Sequence, residues 1–567
     1  MKNPKNNRKS IVTNKRRAAI ILLAASFLFV SASLRLSDRD FQIVKNIDIF
    51  FSLFRELNLF YVDQPNPEQL ISKGIEGMLE TLDPYTVFIP ESEIEEFKTS
   101  TTGQYGGVGM AILNIDNVMT VVEISQNSPA QKAGIRIGDE ITKIDGKSVK
   151  DQCDDNVNEW LNGVPNTKLA VSFVPSSGMR EATRELTRET ITIPNVPYYG
   201  LLDEAGKTGY IRLSGFSFNA ARETKEALTY LKQTYGIEEL VLDLRNNPGG
   251  LLLEAVEVVN LFVNRGQEVV STRGRIKQWD NVYTTRHEPV DTLISLAIIV
   301  NRLSASAAEI VAGAIQDLDR GIVVGQRTFG KGLVQATRPL SYNTHLKVTT
   351  ARYYIPSGRC IQALDYAHRE ADGSVGYIPD SLIREFKTLK TNRTVRDGGG
   401  ISPDVPVLPE TISRIAVALF RQNLIFKYAT LYANKHDSIA PAKKFQLTDE
   451  EYQEYIEFLH DKHFEYQTET EIALNRLIET ATREKYVETA ANELKALQTK
   501  LSSVRLNDLT LFKNDIKALL EEEISFRYYL DAGRVANTIR NDRQIQAAVD
   551  ILREPNKYAS LLNILQM

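Results

Sequence analysis

The chain is short of the residues that build disulfide frameworks and metal centres. Among 567 residues only two are cysteines, Cys153 and Cys360, far apart and without metal-type spacing, and nothing requires them to pair. The six histidines (His287, His345, His368, His436, His460 and His463) are scattered, and none falls between residues 306 and 335. His460 and His463 could share a helix face, but that face reads as solvated, so neither a metal nor a cofactor is expected. Charge of one sign is missing too. A formal net charge of −4 gives no reason to expect nucleic acid.

What is present is ordinary for soluble globular domains: 43% apolar and 25% charged residues, in a length that suits three or four domains. The N-terminus differs. Lys2, Lys5, Arg8, Lys9, Lys15, Arg16 and Arg17 fill a basic segment, 1–17, that precedes an uncharged apolar run, 18–34. That is the grammar of a secretory signal. The run is near the lower limit for spanning a bilayer, and Val30-Ser31-Ala32 only weakly resembles a cleavage site. It could be a cleaved signal peptide or a retained anchor; we read it as an uncleaved anchor in the inner membrane, with positive charges inside and the bulk of the chain on the periplasmic side.

Residues 35–98 read as an N-terminal helical region, with helices over 41–58, 67–82 and 91–99. The aromatic face of the first suits packing against a domain or a second subunit. The second ends at Asp83-Pro84, as proline rules require. From residue 99 the pattern changes to a glycine loop with short strands and helices, and Asp145-Gly146 marks a hairpin. From 186 to 410 strands alternate with helices: 208–213, 219–235, 239–244, 252–261, 293–300 and 306–318. Such alternation implies an α/β core with functional loops at strand ends. A charge-dense insert, 362–397, reads as a surface excursion. Residues 411–567 read as helical throughout, over 412–436, 449–463, 468–500 and 506–530; this extension could cap the α/β core, dimerise or bind a partner, and a homodimer contact is our expectation.

The chemistry gathers in residues 293–335. An almost wholly apolar run, 293–300, predicts a buried strand, and Ile310, Val311, Ala314, Ile315 and Leu318 recur at helical spacing. Ser304 and Ser306 stand between strand and helix, where free N–H groups and the positive helix end collect. That setting suits a nucleophile whose attack creates an oxyanion. On this stretch alone, either serine could equally cap the helix. Gly325 to Lys331 matches the first seven positions of a phosphate-binding loop. Gly332 then stands where Ser or Thr must hold magnesium, which argues against an NTPase. Lys331 could instead serve as a base if deprotonated. Bringing a lysine from about 10.4 to about 7 disfavours its charge by on the order of 4.6 kcal/mol, which burial can supply. Phe329, Leu333 and Val334 make such a pocket plausible.

Two resemblances follow. Gly107-Val108-Gly109-Met110, Ser128-Pro-Ala-Gln-Lys-Ala-Gly134 and Gly138-Asp-Glu-Ile-Thr-Lys-Ile-Asp-Gly-Lys-Ser148 resemble a circularly permuted bacterial PDZ domain, here 99–185. Such a fold takes an extended peptide as an added strand, and the Gly107, Val108, Gly109 and Met110 loop would hold its carboxylate. Leu242-Asp-Leu-Arg-Asn-Asn-Pro-Gly-Gly250, Ser304-Ala-Ser-Ala-Ala-Glu-Ile310 and Thr328-Phe-Gly-Lys-Gly-Leu-Val-Gln335 resemble the C-terminal processing (tail-specific) peptidases, with Tyr354 to Arg359 and Gly398 to Asp404 as later landmarks. The resemblance implies a multidomain α/β protein with a ClpP/crotonase-like protease core, an inserted PDZ domain, N-terminal helices and an all-α C-terminal extension. It implies a serine endopeptidase of the cell envelope whose substrates are proteins or peptides with free, unstructured apolar C-termini. Ser306 would be the nucleophile, Lys331 the base, and Gln335 would orient the lysine. Gly249, Gly250 and the N–H of Ala307 would form the oxyanion hole, and Glu309, Asp317 and Thr328 would support the site. Ala308 departs from the family, which has a third serine there. The other readings are a catalytically silent PDZ scaffold and a crotonase-type acyl-CoA enzyme; the second is disfavoured by the export signal.

Overall fold

The structure is a computed structural model describing residues 38–563 except 179, 203–205, 370–373, 463, 465, 488 and 506. The basic segment 1–17, the apolar run 18–34 and His463 lie outside the described residues. Among the described residues no helix is long and apolar enough to cross a membrane, and no cluster of His, Cys, Asp and Glu could hold a metal. Cys153 and Cys360 are both free thiols.

The chain divides into two units between Thr81 and Leu82. The first contains the helices Asp38–Phe60 and Pro67–Glu80. Asn66 caps the second, its Oδ1 accepting the N–H groups of Glu68 and Gln69, with Pro67 at the first helical position where no N–H is needed. Phe41, Ile47 and Phe51 on the longer helix are exposed.

In the second unit, residues 110–187 build a small sheet, beside the two-stranded pairing of Gln104–Gly107 with Glu189–Thr192. Its strands run in the order Met110–Ile115, Val118–Ile124, Glu140–Ile144, Lys168–Val174 and Ala182–Thr187. Alternation decides which side is inside: Ile112, Val121, Ile141, Ile144 and Val171 are buried, and Val157 from the helix Asp154–Leu161 closes over them. The Asp145-Gly146 hairpin forms as expected, both residues taking positive φ.

The mostly parallel sheet has six strands, ordered Tyr198–Leu201, Thr208–Arg212, Glu239–Asp243, Ser295–Val300, Ile322–Gly325 and Val405–Pro406. Every pairing after the first is parallel. Parallel strands must be covered on both faces, which is why these runs are apolar without alternation. Register shows the two faces. Ile211, Leu242, Ile298 and Val323 lie side by side beneath the helices Ala220–Tyr235, Leu252–Asn260 and Ala307–Asp317. Tyr210, Val241, Ala297 and Ile322 line the opposite face, and they are covered from far along the chain, by Ile545, Ala548, Val549, Ile551 and Leu552 of the helix Arg543–Leu552. The C-terminal helices thus complete the sheet's second layer, the capping role offered above beside dimerisation. A second sheet holds the long strand His345–Tyr354 with Leu333–Pro339 and Val87–Ile89 beside it.

The helical tail is more broken than its periodicity suggests. Residues 412–436 form two helices, Arg414–Arg421 and Leu424–Lys435, because Asn423 takes a left-handed conformation. Leu530 likewise interrupts Lys513–Thr538. These helices share a core around Leu419, Ile425, Tyr455, Leu520 and Ile524, while Phe526 is buried in the small sheet's own cluster. The insert 362–397 is not all surface. Arg393 is buried between Asp319 (2.8 Å) and Asp404 (2.6 Å), tying the insert to the core.

Candidate active site

The strand Ser295–Val300 feeds the helix Ala307–Asp317 through a turn that distinguishes its two serines. Ser304 is wholly buried, its Oγ donating to the Leu244 carbonyl (2.8 Å) and accepting the Asn301 N–H (2.9 Å), so it stitches the turn to the neighbouring strand. Ser306 is half-exposed at φ +53°, ψ −114°, a conformation non-glycine residues rarely adopt and keep only where the surroundings enforce it. The enforcement is visible. Its N–H donates to Glu309 Oε2 (2.9 Å), and the Tyr353 hydroxyl reaches its carbonyl (3.2 Å).

Glu309 organises the whole site. It is fully buried, one helical turn after Ser306, and its Oε2 also accepts the N–H of Lys331 (2.9 Å). Its Oε1 accepts the Thr328 hydroxyl (2.6 Å) and the Gly330 N–H (2.7 Å). Ser306 and Lys331 are therefore fastened to one oxygen atom, with backbone nitrogens within two hydrogen-bond lengths of each other. Burial nevertheless pushes the Glu309 carboxyl up to about 7, despite these donors. Burial, with Lys347 adding repulsion, pulls the Lys331 ammonium down to about 8 against the attraction of Glu309 and Asp83. Its Nζ lies 4.2 Å from the centre of the Tyr85 ring, and no hydrogen bond joins it to Ser306 Oγ.

The loop 245–250 meets this turn. A Cβ on Gly249 would stand 2.7 Å from Ser306 Cβ and 2.8 Å from the Ala307 nitrogen, so only glycine allows the approach. The Gly249 N–H is engaged by Asn247 Oδ1 (2.9 Å). Among the described residues the N–H groups of Gly250 and Ala307 have no hydrogen-bond acceptor. The loop is held from behind: Arg245 bonds Asp243 and reaches Asp542 (2.5 Å) and Gln544 (3.0 Å) at the start of the sheet-covering helix. Asp243 is buried, which alone would raise its carboxyl, but Arg245 and Arg212 override burial and hold it well below the ordinary range.

Two expected residues sit elsewhere. Asp317 is at the far end of its helix, about 15 Å along at 1.5 Å per residue, where it binds Arg359 (2.8 Å) and the Ser357 N–H (3.0 Å). Gln335 does not bond Lys331. Its Nε2 donates to Thr349 Oγ1 (3.1 Å), whose hydroxyl donates to Asp83 Oδ1 (3.2 Å). Asp83, Tyr85 and Thr349 were not anticipated; the hint was Asp83-Pro-Tyr-Thr86, a turn signature read only as a helix stop.

In the small sheet, Val108 and Gly109 offer carbonyls to Ala130 and Ser125, and Gly109 packs where any Cβ would meet Ser128. The open edge of Met110–Ile115 is occupied by the helix Asp154–Leu161. Asn158 Oδ1 accepts the Ile112 N–H (2.9 Å) and its Nδ2 donates to the Ile112 carbonyl (2.8 Å), while Asp154 takes the Asn114 N–H (2.9 Å).

Comparison with known proteins supports this layout. Residues 207–367 match the model of peptidase family S41, 106–174 a PDZ domain, and 415–552 the C-terminal helical domain of probable PDZ-proteases. A carboxy-terminal-processing protease of Bartonella bacilliformis is 34% identical over 369 residues, covering 64% of this chain and 81% of the relative. A probable CtpA-like serine protease of Staphylococcus aureus is 31% identical, covering 65% and 73%. A solved photosystem II D1 C-terminal processing protease is 30% identical over 64% of this chain and 88% of that one, with a TM-score of 0.35. These features define a serine-type peptidase that carries a PDZ domain. The chain belongs to peptidase family S41, with the carboxy-terminal-processing proteases.

Proposed function

We propose that the protein cleaves polypeptides near unstructured apolar C-terminal tails by a Ser306–Lys331 dyad, with the PDZ domain taking the tail. The observation that carries this reading is the shared Glu309 oxygen, which ties the Ser306 turn and the Lys331 loop together. Neutral Lys331 takes the proton of Ser306 Oγ as the oxygen attacks the scissile carbonyl carbon. The resulting oxyanion is met by the N–H groups of Gly250 and Ala307. The intermediate collapses, the C–N bond breaks, and the lysine returns its proton to the leaving amine. Water then hydrolyses the acyl-enzyme, with Lys331 again as base. Gly249 serves by close approach, and Gln335 acts on the lysine's surroundings through Thr349. The tail would displace Asn158 and Asp154 from the Met110–Ile115 edge and add there as a strand, with its carboxylate on the Gly107–Met110 loop. The basic segment and apolar run 1–34 support a periplasmic, membrane-anchored placement.

The test is hydrolysis of a peptide with a free apolar C-terminus. Ser306→Ala and Lys331→Ala should each abolish cleavage at neutral pH while the melting temperature holds. Undiminished cleavage by either variant would remove that residue from the dyad.

A further inference from the structure

Tyr85 has no role in the reaction as described, yet its ring is the group resting on the Lys331 ammonium. We propose that Tyr85 is a positioning residue whose ring walls water off Lys331 Nζ, and that the Asp83–Thr86 turn is built to seat it there. This rests on Lys331 being the base.

The seating is specific. Asp83 is buried, and its Oδ1 accepts the N–H groups of Tyr85 and Thr86 (2.9 Å each) while Oδ2 accepts the Thr86 hydroxyl (3.1 Å). Thr349 fastens the turn twice, its hydroxyl donating to Asp83 (3.2 Å) and its N–H to Thr86 Oγ1 (3.2 Å). Val87–Ile89 then pairs with Lys347, Leu346 and His345, so the turn is continuous with the sheet that carries Gln335. Gln335 braces Thr349 from the other side. On its outer side the Tyr85 ring meets Tyr366 edge-on, centroids 6.1 Å apart. The chain of contacts Gln335–Thr349–Asp83–Tyr85 thus gives Gln335 an indirect route to the lysine.

The ring acts on the lysine in two opposing ways. Its π face attracts the ammonium, and its bulk keeps solvent from it, which favours the neutral amine. Burial is the leading reason that Lys331 sits at about 8, and the ring over Nζ is part of that cover. Lys347 from the strand His345–Tyr354 pushes in the same direction, and Glu309 and Asp83 push back. Tyr353 touches the lysine at its carbonyl.

The test is kcat/KM from pH 6 to 10 for the full-length protein on an apolar-tailed peptide. Tyr85→Ala should move the ascending limb up by about one pH unit, with roughly a tenfold loss at pH 7 that is largely recovered near pH 9.5. Tyr85→Phe should leave the limb in place, because the ring and not the hydroxyl faces the amine. If Tyr85→Ala does not fold, Tyr85→Gln, which fills space but wets the ammonium, should show the same upward movement. A loss equal at every pH, an unmoved limb, or Tyr85→Phe behaving like Tyr85→Ala would overturn the proposal. An unmoved limb with Lys331→Ala inactive removes this proposal alone; an active Lys331→Ala removes the dyad as well.

Discussion

Replacing Glu309 by Gln should cripple catalysis and yet change stability little, because two opposing costs nearly cancel. The carboxylate accepts four donors, two on each oxygen. An amide has one acceptor oxygen, so whichever way it turns, its NH2 confronts two donors. Two buried unsatisfied donors cost about 1–3 kcal/mol each. Against this, a carboxyl raised from 4.5 to about 7 carries about 3 kcal/mol of disfavoured charge once ionised, which the amide lacks. The net lies within about 3 kcal/mol of zero. Catalysis has no such offset: Ser306 and Lys331 lose their common anchor, and a misplacement of about 1 Å costs on the order of 100-fold. The assay pairs kcat/KM with melting of both proteins at pH 5 and pH 8. Because the folded value is raised, Glu309 contributes stability below about 4.5 that is lost as pH rises through about 7. Wild type should therefore lose more stability than the Gln variant between the two pH values. Activity within threefold of wild type, or an identical pH slope in both proteins, would refute the reasoning.

Other expectations follow from the same contacts. Gly249→Ala places a Cβ 2.7 Å from Ser306 Cβ at φ +96°, so about 1–3 kcal/mol of strain and loss of Ser306 labelling by a fluorophosphonate are expected; unchanged labelling would contradict the close approach. Ile551→Ala opens a cavity against the sheet and should cost about 2–5 kcal/mol in denaturant unfolding; a cost below about 1 kcal/mol would deny that this helix is core. Asn158→Ala frees two groups of the Ile112 edge, each bond being worth about 0.5–1.5 kcal/mol. In a Ser306→Ala background, tail peptides should then bind roughly 5- to 150-fold tighter by anisotropy, and weaker binding would show that Asn158 assists the peptide instead.

The parts of the site carried by contiguous motifs were legible in the sequence. The apolar run 293–300 supplied the strand Ser295–Val300, Ser306 fell at the helix start, and Gly332 after Lys331 argued against a phosphate site. Composition could not separate Ser304 from Ser306; burial and one strained dihedral do. The use of Gly249 for its missing side chain, with its N–H engaged by Asn247, depends on a loop conformation that no motif states. Tyr85, Thr349 and Gln335 come from three separate segments, and only the second sheet brings them together. The apolar strands implied that both sheet faces are covered. They could not say by what, since any amphipathic helix would satisfy the pattern, and the helix Arg543–Leu552 was not foreseen.

The late cover of the sheet has a consequence for how the molecule is made. The face of Tyr210, Val241, Ala297 and Ile322 waits for Ile545 to Leu552, roughly 220 residues later and, at about 5–20 residues per second, on the order of ten seconds or more. The same helix start grips Arg245 behind the glycine loop. An unfinished chain therefore holds every reacting side chain and still lacks the layer that stiffens them.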